Sequence, residues 1–126
     1  MDVKNKRIVV TGAASGIGKA LCEAFHEAKA QSIVAVDMNL DGAQETADSV
    51  NGIAIKANVG SEEDTINIIE KSDEHAGGID IYCSNAGIGG VPGFFEVNAS
   101  DWQNIWDVNV QSHIFAAKHV LPQMIE

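Results

Sequence analysis

Basic residues are scarce in this chain. Lysine and arginine together number 8 against 18 acidic residues, leaving a net charge of −10 and a pI near 4.6. A nucleic acid or an anionic membrane demands a basic field on its partner, so neither is an expected ligand. Cysteine is also rare, with only Cys22 and Cys83. They lie far apart and match no metal-ligand spacing, so they read as buried thiols in a reducing compartment. Tyrosine occurs once, as Tyr82. No apolar run is long enough to span a bilayer, and the polar start Met1–Arg7 does not resemble a secretory leader. The expected setting is cytoplasmic.

What is present is enough apolar material for a core, at 45% of residues, and a length of 126 that suits one domain. The pattern alternates. Residues 6–11 read as a first strand, 32–37 as a second, 53–57 as a third and 79–83 as a fourth, each a short apolar run. Helical periodicity fills the gaps. Ile17, Leu21, Ala24, Phe25 and Ala28 form one stripe over 16–29, and Leu40, Ala43, Ala47 and Val50 form another. A third helix starts at Ser61, where Ser61 to Asp64 resembles a capping box, and turns Ile66 and Ile69 inward. A glycine-rich loop through Gly89, Gly90, Pro92 and Gly93 precedes a last helix. That helix is expected from Ser100, with Gln103 completing a cap, to about Leu121. Strands alternating with helices predict an α/β fold, a Rossmann-type parallel sheet of order 3-2-1-4 with helices on both faces.

The stretch Thr11 to Gly18, T-G-A-A-S-G-I-G, joins the first strand to the first helix. A helix start has unpaired N–H groups and a positive dipole end, and glycine lets a ligand approach its backbone. The alternative for this stretch by itself is an ordinary strand-to-helix turn. Asp37, closing the second strand, adds to it: a carboxylate there can accept hydrogen bonds from both hydroxyls of an adenosine ribose. The same charge repels a 2′-phosphate, by about 4 kcal/mol at contact before screening. Neither Ser15 nor Met38 is a cation that would offset it, so NAD is favoured over NADP. The alternative for Asp37 is an aspartate that caps a turn.

These residues resemble the N-terminal, NAD-binding half of the short-chain dehydrogenase/reductase family, over essentially the whole of residues 1–126. Thr11 to Gly18 is similar to that family's T-G-x-x-x-G-x-G, and Asp37 stands at its NAD-selecting position. Asn58-Val59 stands where the family has Asp-Val, whose acid contacts the adenine amino group; asparagine can accept that bond without charge. Ser84-Asn85-Ala86-Gly87 is similar to N-N-A-G, with serine for the first asparagine. The resemblance implies a cofactor site made of Gly12, Ala14, Ser15, Gly16, Ile17, Gly18, Asp37, Met38, Asn58, Val59, Asn85, Ala86 and Gly87. Through the context Trp106-Asp107-Val108-Asn109-Val110 it also implies that Asn109 holds a water of the family's proton relay.

On the last helix Trp102, Ile105, Trp106, Asn109, His113, Ala116 and Val120 fall on one stripe, so Asn109 reads as a buried amide in need of partners. A core asparagine bonded to backbone carbonyls is the plainer alternative. His113 reads as a core or interface histidine and His26 as a surface one. A second apolar flank, Val110, Ile114 and Leu121, together with the family's packing habit, implies a homo-oligomer.

The family's chemistry is reversible hydride transfer between a secondary alcohol or ketone and nicotinamide. It needs a serine and a Tyr-x-x-x-Lys pair. Tyr82 lies within a strand with Ala86 four residues on, so it is not that acid. The chain is therefore expected to supply the cofactor-binding half, binding NAD weakly without turnover. A non-catalytic NAD-binding module and an inert truncated fragment remain the alternatives. The fourth strand, unflanked, is expected to aggregate, swap or pair with a neighbour.

Overall fold

The computed structural model describes residues 2–90 and 93–126. Strands β1 (Arg7–Thr11), β2 (Ser32–Asp37), β3 (Ile53–Lys56) and β4 (Ile81–Cys83) make one four-stranded sheet in the order β3-β2-β1-β4. Every pairing is parallel, with Val9 beside Val34 and Tyr82, and Ala35 beside Ala54. Helices α1 (Gly16–Glu27), α2 (Leu40–Ser49), α3 (Glu62–Ala76), α4 (Ala99–Trp106) and α5 (Ser112–Ile125) cover it. A π-helical segment, Asp107–Gln111, joins α4 to α5. The expected fold class and strand order are those observed.

Two apolar clusters sandwich the sheet, because successive strand residues point to opposite faces. Ile8, Val10, Ile33 and Ala35 pack with Cys22 and Ala47 on the α1 and α2 side. Val9, Val34, Val36 and Ile55 pack with Ile68 and Val120 on the α3 and α5 side. Burial on both faces explains why these strands read as unbroken apolar runs.

The helices depart from the expected stripes, for identifiable reasons. In α1 the buried positions are Gly18 and Cys22, while Ile17, Ala24 and Ala28 are exposed. Gly18 sets the phase: a Cβ there would lie 2.0 Å from the Gly12 carbonyl oxygen, so the helix presses this face against the turn. The helix ends two residues before the expected Lys29, which adopts φ 65°, and Ala30 N donates to the Phe25 carbonyl at 3.0 Å. In α2 Leu40 is exposed, but Ala43, Ala47 and Val50 are buried as expected. In α3 Ile66 is exposed and Ile69 half-buried; the buried face is Thr65, Ile68 and Ser72. Thr65 and Ser72 satisfy their hydroxyls on the carbonyls of Ser61 and Ile68, so polar side chains occupy core positions and blur the periodicity.

The cap of α4 is Asn98, not Ser100. Asn98 Oδ1 accepts from Asp101 N, and Asp101 Oδ2 accepts from Asn98 N, both at 3.0 Å. Ser100 instead donates its hydroxyl to Asn98 Oδ1, and Gln103 donates to Asp107. Beyond α4 the buried positions run Val108, Ser112, Ala116, Val120, every fourth residue. The π-helical turn holds an extra residue and shifts the phase between α4 and α5; Trp102 and Trp106 before it and His113 after it are exposed. Asn109 is consequently half-exposed rather than buried. Helix α5 continues through Pro122 to Ile125. Gln123 anchors its last turn by accepting from Ile79 N at 2.9 Å. Of the expected glycine-rich loop, Pro92 lies outside the described residues.

Arg7 pins the start of β1 to the turn before β4. Its guanidinium and backbone N–H both donate to Asp80, at 2.8–2.9 Å, and hold that carboxyl down to about 2. Among the described residues no strand pairs with the far side of β4. A cleft of about 340 Å³ lies there, between Asp80–Tyr82 and the Ala116, Val120 and Met124 face of α5.

Candidate functional site

Strand order reverses between β1 and β4, and ligands of open α/β sheets bind beyond the strand ends at such a point. Thr11, the last residue of β1, builds this corner. Its buried hydroxyl accepts from Asn85 N at 2.9 Å and Ala86 N at 3.0 Å, and donates to the Cys83 carbonyl at 3.2 Å. Asn85 returns a bond from Nδ2 to the Thr11 carbonyl at 3.0 Å. The ends of β1 and β4 are thus clamped together. Gly12, at φ 71°, takes the chain across the gap; a Cβ there would meet Ala86 Cα at 3.0 Å.

The turn then opens α1 in an unusual state. Ser15 stands at the N-cap with extended backbone, makes no side-chain cap bond, and is followed by no acid in the first turn. Gly16, at φ 55°, has no heavy atom within 4 Å of a would-be Cβ, so its approach is open. Ile17 is 73% exposed beside it. Helices α2, α3 and α4 are all capped by side chains, from Asn39, Ser61 and Asn98. The turn itself is held from below. Thr46 donates to the Ala13 carbonyl at 2.8 Å, and Asp37 Oδ2 accepts from Ala14 N at 3.0 Å.

Asp37 is half-buried at the end of β2, and its Oδ1 accepts from Asn39 N at 3.0 Å. Each oxygen keeps lone-pair capacity for further donors. Beyond it lies a cleft of about 210 Å³ whose walls include Gly12, Asp37, Met38, Asn58, Val59, Ala86 and Gly87. Met38, 61% exposed, and Val59 give it apolar walls. An uncapped helix start adjoins Asp37 through Ala14 N, and Asp37 shares the cleft with the apolar Met38 and Val59. That arrangement suits an anion, a sugar diol and a flat ring.

A family model described as short chain dehydrogenase matches residues 6–126. The chain belongs to the short-chain dehydrogenase family. Glucose 1-dehydrogenase 2 of Bacillus subtilis is 34% identical over 131 residues, covering 99% of this chain and 51% of that protein. L-rhamnose 1-dehydrogenase (NADP(+)) of Thermoplasma acidophilum is 31% identical, covering all 100% of this chain and 52% of that protein. A crystal structure of a short-chain dehydrogenase/reductase, a glucose/ribitol dehydrogenase from Brucella melitensis, superposes with TM-score 0.89 at 31% identity. That match covers 97% of this chain and 53% of the other. The chain spans about half the length of these relatives.

Members of this short-chain dehydrogenase family use a nicotinamide cofactor, and the residues present fit one. The site implied by sequence divides into two groups. Gly12, Asp37, Met38, Asn58, Val59, Ala86 and Gly87 converge on the cleft. Ala14, Ser15, Gly16, Ile17 and Gly18 form the turn above it, with Gly18 serving helix packing. Asn85 spends its amide on Thr11 and so shapes the corner rather than lining the cleft. Asn109 spends both ends of its amide on Ile88, accepting from its N–H at 2.8 Å and donating to its carbonyl at 2.9 Å. It fastens the loop that follows β4 against the π-helical segment. Sequence reasoning missed Thr46 and Asp64 as supports, since a threonine within a helix and one acid among several carry no distinguishing signal.

Burial pushes the Tyr82 phenol up to about 12 and the Cys22 thiol up to about 11. Both cysteines are free; Cys83, expected to be buried, is half-exposed on the end strand. Among the described residues no cluster of His, Cys, Asp and Glu could hold a metal. No helix is long and apolar enough to cross a membrane.

Proposed function

We propose that residues 1–126 are the cofactor-binding part of an NAD-dependent oxidoreductase that interconverts a secondary alcohol and a ketone. The observation that carries this reading is Asp37, poised between an uncapped helix start and an apolar cleft. The N–H groups opening α1 would bind the pyrophosphate, with Ser15 and Gly16 at its side. Asp37 would accept from the ribose hydroxyls while excluding a 2′-phosphate. Met38 and Val59 would enclose the base. Ile17, Ala86 and Gly87 would border the nicotinamide half. When bound, the nicotinamide supplies hydride acceptance and donation.

We read Asn109 as a positioning residue of this site. Its two bonds to Ile88 leave one Oδ1 lone pair for a water of a proton relay. The family's acid is not among these residues: Tyr82, the one tyrosine, has a phenol pushed up to about 12. These residues by themselves would bind NAD without turnover. The exposed Trp106, Ile114 and Leu121 support a homo-oligomer. Sedimentation velocity at micromolar concentration tests that, and a strict monomer would refute it.

Fluorescence titration tests the cofactor reading. NADH is expected to bind at least tenfold tighter than NADPH. Asp37→Ala should weaken NADH about tenfold, from loss of charge-assisted hydrogen bonds, and narrow the gap to NADPH. Equal binding of the two cofactors by the unaltered chain would overturn the NAD assignment.

A further inference from the structure

Asp37 accepts two bonds from the chain itself, and both lead to helix α2. Its Oδ1 accepts from the backbone N–H of Asn39, the N-cap of α2, at 3.0 Å. Asn39 Oδ1 in turn accepts from Gly42 N at 3.1 Å. Gly42 lies against the glycine turn: a Cβ there would meet Ala14 Cβ at 2.8 Å. One turn further along α2, Thr46 is fully buried. Its hydroxyl lies 2.8 Å from the Ala13 carbonyl oxygen and 3.2 Å from the Gly42 carbonyl oxygen. It has one hydrogen to donate, and the shorter contact takes it. The circuit closes at Ala14 N, which donates to Asp37 Oδ2 at 3.0 Å. The Ala13 carbonyl and the Ala14 N–H belong to one peptide group, and in a trans peptide they point in opposite directions. Thr46 and Asp37 therefore grip a single peptide plane from opposite sides.

We propose that Thr46 is a positioning residue of the cofactor site, acting through the Ala13–Ala14 peptide to aim the Asp37 carboxylate at the ribose. The inference rests on the cofactor reading above. A carboxylate that must meet two hydroxyls needs its plane fixed as well as its position. Asn39 N fixes one oxygen. Ala14 N fixes the other, but only while its peptide keeps its orientation. Ala13 is fully buried, so without Thr46 its carbonyl has neither a protein partner nor solvent. Rotation of the peptide would relieve that carbonyl. It would also withdraw the Ala14 N–H from Asp37 and turn an oxygen toward the carboxylate, acceptor against acceptor. The consequence falls at the ribose, where a 2′-hydroxyl and a 2′-phosphate are told apart, although Thr46 itself touches no ligand.

The test titrates NADH and NADPH by fluorescence on the full chain, unaltered, as Thr46→Val and as Thr46→Ser, and follows the Ala14 amide by NMR. The first substitution keeps the branched shape and removes the hydroxyl; the second keeps the hydroxyl. Thr46→Val is expected to weaken NADH about tenfold and NADPH by less, because NADPH makes less use of Asp37. The Ala14 amide proton should move upfield as its bond to the carboxylate loosens. Thr46→Ser should hold NADH affinity within about threefold of the unaltered chain. A merely structural brace would weaken both cofactors equally, so an equal loss in Thr46→Val overturns the inference alone. Undiminished NADH binding in Thr46→Val does the same, as does failure of Thr46→Ser to restore it. Should Thr46→Val not fold, Thr46→Cys takes its place under the same outcomes, since a thiol fills the space but donates weakly. An unaltered chain that does not bind NADH, or does not prefer it to NADPH, overturns the cofactor reading and this inference together.

Discussion

Helix α3 begins with Ser61 accepting from Asp64 N at 3.2 Å, and Glu62, Glu63 and Asp64 fill its first turn. Helix α1 begins with Ser15 making no such bond and with no acid in its first turn. Both starts carry the same partial positive charge and the same orphan N–H groups. In α3 the chain satisfies them from its own side chains, and Asp64 reaches further, to hold Asn58 N in place. In α1 they are left for something else, while Thr46 and Asp37 brace the turn from behind. The contrast teaches that a binding site is recognisable by stabilisation withheld. The same physical feature is a structural device where it is capped and a candidate ligand site where it is open.

Substitutions can break this contrast. The largest effect is expected from Gly18→Val, because a Cβ would collide with the Gly12 carbonyl at 2.0 Å. It should cost about 3 kcal/mol of stability, measured by urea denaturation, and abolish NADH binding. Ser15→Asp would make α1 resemble α3. It should stabilise the helix by about 0.5–1 kcal/mol in the same denaturation assay, yet weaken NADH tenfold or more by repelling the pyrophosphate. A stabilised chain with undiminished affinity would show that no anion docks there. Ser61→Ala should do the reverse. It removes a cap worth about 1 kcal/mol while leaving NADH affinity within twofold, since the opening of α3 faces structure rather than ligand.

The half of the site on the backbone turns was legible in the sequence. Glycine at 12, 16 and 18 between a strand and a helix pointed to a tight turn with close approach, and Asp37 falls where β2 ends. The supports were not. Thr46 is a polar residue in a core position, satisfied by the Ala13 carbonyl, and Asp64 accepts from Asn58 N; both partners lie near only once the chain has packed. The capping residue of α4 was misplaced by two positions because Ser100 and Asn98 both offer suitable oxygens. Extended backbone at Asn98, with φ −103°, decides between them. Asn109 was placed on the wrong face because 3.6-residue periodicity does not anticipate a π-helical turn.

Alternating apolar runs, their lengths and the glycine spacing determined the parallel sheet, its order and the position of the cleft, because burial on two faces and right-handed crossovers leave few other arrangements. Tertiary structure alone decided which polar atoms remain unspent. Asp37, Asn58, Asn85 and Asn109 look alike as candidate ligands in one dimension. Only packing shows that Asn85 gives its amide nitrogen, Asn58 its amide oxygen and Asn109 both ends of its amide to the backbone, while Asp37 keeps a free lone pair on each oxygen. Hydrogen bonds saturate, and whether a group is saturated depends on neighbours that the chain brings together only by folding.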